Sequence, residues 1–145
     1  MQNQGDAYYA LILALSVLLA ASFAVSGCQM FSSEKIKVIE IKMAAAINEN
    51  LTPVKPADSF PGGTSSVYCC FKWENAEVNS QIIAQWHYTS ENINILNYAF
   101  SIPRRDGSGS VVLSMPEGKT LPSGSYRIDL ILNNHTLKSC EFKIN

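Results

Sequence analysis

The chain has 145 residues, enough for one domain of ordinary size. Its 11 basic and 12 acidic residues give a formal net charge of −1, so no basic surplus points to a nucleic-acid partner and no acidic run points to a solvating tail. Charged residues make up only 16% of the chain, and the dilution is greatest near the N-terminus, where no charge occurs between Asp6 and Glu34.

Residues 7–25 contain only Ala, Leu, Ile, Val, Phe, Tyr and two serines. At about 1.5 Å of rise per residue, a helix of that length just spans a hydrocarbon core of about 30 Å. The run ends in Val25-Ser26-Gly27-Cys28. In that position the tetrapeptide resembles the lipobox of bacterial lipoprotein precursors. The resemblance covers the first 28 residues. It implies removal of residues 1–27 as a signal peptide, a diacylglycerol thioether on Cys28, and acylation of the new N-terminus. Anchoring by several acyl chains is stable where one chain is marginal, since each buried methylene contributes about 0.8 kcal/mol. Gln29 stands where the family places Asp for inner-membrane retention, which implies the outer membrane of a bacterial cell envelope. The segment departs from the family at its start, because residues 1–6 carry Asp6 and no Lys or Arg, whereas a signal peptide normally opens with basic residues. Two other readings stay open. One is an uncleaved transmembrane helix, with Lys35, Lys37 and Lys42 on the cytoplasmic side. The other is a pilin-like subunit with Gly5 as the processing glycine, although Ala10 stands where an acidic residue is expected. Residues 28–35 read as a polar tether, and residues 36–145 as the folded domain.

From Lys35 onward the dominant hydrophobic period is two. Ile39, Ile41 and Met43 alternate with Glu40 and Lys42 as an opening strand. Residues 48–61, with Pro53, Pro56 and Pro61, form a loop or irregular edge, because proline cannot donate to a ladder. Val67, Cys69, Phe71 and Trp73 share one face of a strong strand, and Tyr68, Cys70 and Lys72 the other. Ile82, Ala84, Trp86 and Tyr88 define the next strand, and Tyr98, Phe100 and Ile102 the one after it. Arg104-Arg105-Asp106-Gly107-Ser108-Gly109 has the composition of a hairpin turn, with residues 110–115 returning as the partner strand. Tyr126, Ile128, Leu130 and Leu132 give the clearest alternation in the chain. Asn133-Asn134 supports a tight turn, and Cys140, Phe142 and Ile144 close the domain.

About seven strands with frequent turn signals and no amphipathic helix predict an all-β fold, a single antiparallel β-sandwich. The pattern resembles immunoglobulin-like and fibronectin-type modules. Trp86 lies on a central strand, and Gly124-Ser125-Tyr126 opens the penultimate strand where a tyrosine corner sits in that family. Ile128 stands where the immunoglobulin signature has its second cysteine.

Four cysteines occur, Cys28, Cys69, Cys70 and Cys140. With Cys28 lipidated, three remain in an oxidising compartment. Strand parity puts Cys69 and Cys140 on core faces and favours a Cys69–Cys140 disulfide. Cys70–Cys140 is the alternative pairing, and buried thiols packing as small hydrophobes are the plain reading. Cys69 and Cys70 point to opposite faces of one strand and do not share a zinc tetrahedron readily, so no metal is expected. His87 and His135 read as surface histidines outside any nucleophile arrangement. No catalytic residue, metal site or cofactor is therefore predicted. The expected function is that of a non-enzymatic, lipid-anchored envelope protein acting as a binding or assembly module. The alternative is an accessory subunit of a membrane complex or filament, held by an uncleaved N-terminal helix. The partners are the membrane and an unidentified protein, with no nucleic acid.

Overall fold

The structure, a computed structural model, describes residues 35–145. The expectations for Cys28, for the signal peptide or N-terminal helix and for most of the tether lie outside the described residues. Seven long strands carry the fold: β1 (Lys37–Ala44), β5 (Ser66–Glu74), β6 (Gln81–Tyr88), β7 (Ile93–Ser101), β8 (Gly107–Ser114), β9 (Gly124–Leu132) and β10 (His135–Ile144). Three two-residue strands, β2 (Ala46–Ile47), β3 (Pro53–Val54) and β4 (Ser59–Phe60), fill the proline-bearing stretch between β1 and β5. The long strands, with the short β4 at one edge, form two sheets, β1-β5-β8 and β4-β10-β9-β6-β7, while β2 and β3 pair with each other. All pairings are antiparallel except the short β4–β10 contact.

Period two places the core. Val67, Cys69, Phe71 and Trp73 of β5 face Ile82, Ala84 and Trp86 of β6 and Ile128 and Leu130 of β9, all buried. Each large apolar side chain removed from water contributes about 1.5–3 kcal/mol. Trp86 on the central β6 is fully buried, with its ring edge-on to Phe142. Tyr126 at the start of β9 stacks on Phe142 and donates its hydroxyl to the Pro122 carbonyl at 2.6 Å. That is the expected tyrosine corner, a phenol tying the strand start to the backbone a few residues upstream. Asn133 and Asn134 both take positive φ (49° and 62°), as a two-residue hairpin between β9 and β10 requires.

Two expectations fail. The stretch 104–109 is not a hairpin turn: β7 pairs with β6, and β8 pairs with β5 in the other sheet. The chain crosses between sheets at residues 102–106, and Gly107 and Gly109 already belong to β8. They are glycines because rings occupy the space beside them. A Cβ on Gly107 would lie 2.8 Å from the Trp73 ring, and one on Gly109 2.6 Å from the Phe100 ring. Ile39 is not on the core face with Ile41 and Met43. The register slips between Val38 and Glu40, so Ile39 is a bulge residue and stands exposed.

Candidate functional site

A three-stranded sheet cannot cover a five-stranded one. β7 is the far edge of the wider sheet, and β8, the edge of the narrower one, meets it at Phe100, whose ring lies against Gly109. Pairing puts Ile93, Leu96, Tyr98 and Phe100 on the same side as Tyr88, Trp86, Ala84 and Ile82, the side that faces the core. Among the described residues Phe100 alone of these finds ring partners, packing against Phe71 and Trp73 at ring separations of 5.2 and 5.6 Å. Ile93, Leu96 and Tyr98 remain 47%, 40% and 51% exposed. Asn94, Asn97, Ala99 and Ser101 line the opposite face. The strand is therefore amphipathic in the way a half-buried strand is, with its apolar half uncovered.

The backbone of this edge is also unprotected. Alternate residues of an edge strand direct N–H and C=O away from the sheet, and proteins usually guard such rows with charges, proline, bulges or short strands. Neither β7 (INILNYAFS) nor β8 (GSGSVVLS) contains a charged residue or a proline. β7 has one bulge, at Ile95, where the register slips between Trp86 and His87. The opposite edges are guarded. β1 carries Lys37, Glu40 and Lys42 besides its bulge, and Lys138 on β10 reaches over to donate to the Ile39 carbonyl at 3.3 Å. Glu40 lies 3.3 Å from Lys42 and 3.4 Å from Lys72, and those ammonium groups hold its carboxyl below the usual range. β4 has only two residues, and β10 also carries Glu141 and Lys143.

A second cluster lies on the outer face of the five-stranded sheet, centred on Asp129, the one buried charged residue among those described. Ser139 Oγ donates to its Oδ1 at 2.6 Å, and Arg127 Nε to its Oδ2 at 3.1 Å. His87 Nε2 stands 3.2 Å from the same Oδ2 but off a hydrogen-bonding direction, without another partner. His87 is thus half-buried beside a carboxylate, not a free surface histidine. The cluster brings together a serine, a carboxylate and an imidazole that are far apart in sequence, but in an order unsuited to nucleophilic catalysis. The carboxylate sits between the other two, so Ser139 gives its hydrogen to Asp129 and has no imidazole to take its proton. Only cross-strand register assembles this group (Gln85 and Ser139 both lie opposite Asp129), and sequence does not supply register.

Cys69, Cys70 and Cys140 are all thiols here, and the expected Cys69–Cys140 bridge is not formed. The two cysteines belong to different sheets, Cys69 fully buried on β5 and Cys140 half-buried on β10. Burial pushes the Cys69 thiol well up, and the nearby Cys140 and Cys70 add to the effect. Cys140 is raised by burial and by Asp58 and Glu141, and Cys70 by burial alone. Cys70 points away from the core yet is buried, in a recess it shares with Leu51, Thr52, Pro53 and Pro56 around the β2–β3 hairpin. His135 is exposed at the start of β10. Among the described residues, no group of three or more His, Cys, Asp or Glu side chains converges as a metal site would.

The fold defines an immunoglobulin-like β-sandwich. An immunoglobulin-like protein of Pseudomonas aeruginosa superposes with a TM-score of 0.56 at 6% sequence identity, over 79% of this chain and 99% of that one. At that identity the likeness is one of fold alone. An alkylpurine DNA glycosylase of Pseudomonas fluorescens, bound to DNA containing an abasic-site analogue, gives 0.42 at 10% identity over 76% of this chain and 30% of its own. A Niemann-Pick type C2 protein of the Japanese carpenter ant gives 0.43 at 10% identity over 79% of this chain and 96% of its own. Similarity at that level carries nothing about function. The chain matches no protein-family model and no curated protein.

Proposed function

We propose that the protein is a non-enzymatic assembly module of a bacterial cell envelope, anchored by lipid on Cys28, with the β7 edge as its contact surface. The observation that carries the assembly reading is the contrast between edges: charge, bulge and brevity on one side of the sandwich, an uncharged amphipathic strand on the other. Val25-Ser26-Gly27-Cys28 after the apolar run 7–25 supports the anchor, and Gln29 favours the outer membrane. In such a compartment Cys69 and Cys140 are expected to oxidise to a disulfide, a reading supported by the two strands placing both on core-facing positions and by Cys140 lying near enough to Cys69 to add to the rise of its thiol.

Growth with a fatty-acid probe tests the anchor. Label on the wild-type protein that disappears in Cys28→Ala supports it. A mature chain that begins near Met1 and carries no label overturns it, and leaves a subunit held by an uncleaved helix. Mass spectrometry under non-reducing conditions tests the bridge: a linked Cys69–Cys140 peptide pair supports it, and three alkylatable thiols sink it.

A further inference from the structure

We propose that β7 is a self-association edge, pairing antiparallel with β7 of a second copy so that two five-stranded sheets become continuous; the proposal rests on the assembly reading above and names its partner. Three properties of the strand favour a copy of itself over an unrelated chain.

The first is the regular stretch after the bulge. From Leu96 to Ser101 the strand is unbroken, and Leu96, Tyr98 and Phe100 share a face. An antiparallel pair with its two-fold axis at Tyr98 sets Tyr98 opposite Tyr98 of the second copy and Leu96 opposite Phe100. Asn97 then meets Ala99 on the other face. Every residue meets a mate of its own face, so one pairing merges the two uncovered apolar stripes on one side and the polar rows on the other. The interface is isologous and closes at two copies, pairing the regular stretch of each β7 with that of its mate.

The second is charge. The strand has none, so no like charge is brought against its copy. The flanks are opposite in sign and exposed: Glu91 precedes β7 and Arg104 follows it. Antiparallel pairing brings the start of one strand toward the end of the other, so each end of the contact carries Glu91 from one copy and, on the segment just beyond the strand, Arg104 from its mate. Neither side chain has an ion pair within its own described chain.

The third is the difference between the two free edges. β8 is also uncharged, but its inward side chains Val111 and Leu113 are buried and Gly109 is covered by Phe100. It offers backbone groups and a single exposed apolar side chain, Val112. β7 offers backbone groups and a stripe.

The contact is small, below the roughly 1,200 Å² of standard interfaces, so association in solution is weak and concentration-dependent. Sedimentation equilibrium of the full chain in detergent, over loading concentrations reaching about 1 mM, is the primary measurement. The expected result is a mass rising toward two copies. Tyr98→Lys and Leu96→Lys should each return it to one copy, while Val78→Lys, at a 48% exposed site on another loop, leaves it at two. The second measurement is copper-catalysed oxidation of Tyr98→Cys in proteoliposomes. A cross-linked dimer beyond the background of the unsubstituted chain supports a two-fold near Tyr98. A single-copy mass at every concentration overturns the proposal, as does a dimer that survives both lysine substitutions. A single-copy chain that retains another envelope protein through an intact β7 also overturns self-pairing, and leaves the assembly reading standing.

Discussion

Gly107 and Gly109 hold their places because the Trp73 and Phe100 rings fill the space beside them. Phe71, Trp73 and Phe100 form a triangle with centroid separations of 5.2 to 5.8 Å, and the β8 backbone runs directly over it. Trp73 also donates Nε1–H to the Arg104 carbonyl at 3.0 Å, which fixes the ring beneath Gly107. Gly109→Val is expected to destabilise the domain by about 1–3 kcal/mol through overpacking. The check is the urea midpoint; a cost near zero would mean that the Phe100 ring swings aside. Tyr126→Phe removes a 2.6 Å hydrogen bond and leaves the Pro122 carbonyl short of a donor, an expected loss of about 1–3 kcal/mol in the same assay. Tyr126 was legible in the sequence because its position at the opening of the penultimate strand has a physical meaning. The two glycines were not, because glycine's commonest use is in turns, and only the ring contacts reveal the other one.

At the scale of strands, Asp129 links three of them. Its carboxylate on β9 takes hydrogen bonds from Arg127 on the same strand and Ser139 on β10, and lies against His87 on β6. Asp129→Asn and Ser139→Ala are each expected to destabilise, and a double-mutant cycle should give a coupling of about 0.5–3 kcal/mol. Additivity within experimental error would show that the short Ser139 contact carries no energy of its own. Period two placed the faces of β5, β6 and β9 correctly because those strands are regular where they face the core. It failed at Ile39 and misled at β7, for related reasons. A bulge resets parity at Ile39 and Ile95, and alternation shows which side of a strand is apolar without showing whether anything covers it. Coverage depends on how many strands the facing sheet has. The Asp129 cluster was hidden for a third reason, since it exists only through the register of β6, β9 and β10.

For the molecule as a whole, the ionisable groups buried neutral set a limit on the alkaline side. Burial raises Cys69 well above its ordinary value of 9.0 and raises Cys70 and Cys140 as well. Tyr126 is pushed up from 10.0 to about 12 by burial, with Tyr88 adding to the effect. A raised value means the folded chain keeps a proton that the unfolded chain has already lost. The stabilisation from these groups is therefore complete below their unfolded values and declines as pH rises through the folded ones. In reducing buffer, the urea midpoint is expected to begin falling near pH 9 as the thiols of the unfolded chain ionise. It should fall further between pH 10 and about 12 as Tyr126 contributes. Tyr126→Phe should flatten the upper part of the curve, and replacing Cys69, Cys70 and Cys140 with Ala the lower part. A midpoint that stays level through the whole alkaline range would contradict the burial assigned to these groups. The same protonated thiols should react slowly with iodoacetamide near neutral pH, because the thiolate is the nucleophile. Fast alkylation of Cys69 in the native chain would require the two sheets to part at the β5 face, where Val67, Phe71 and Trp73 hold them together.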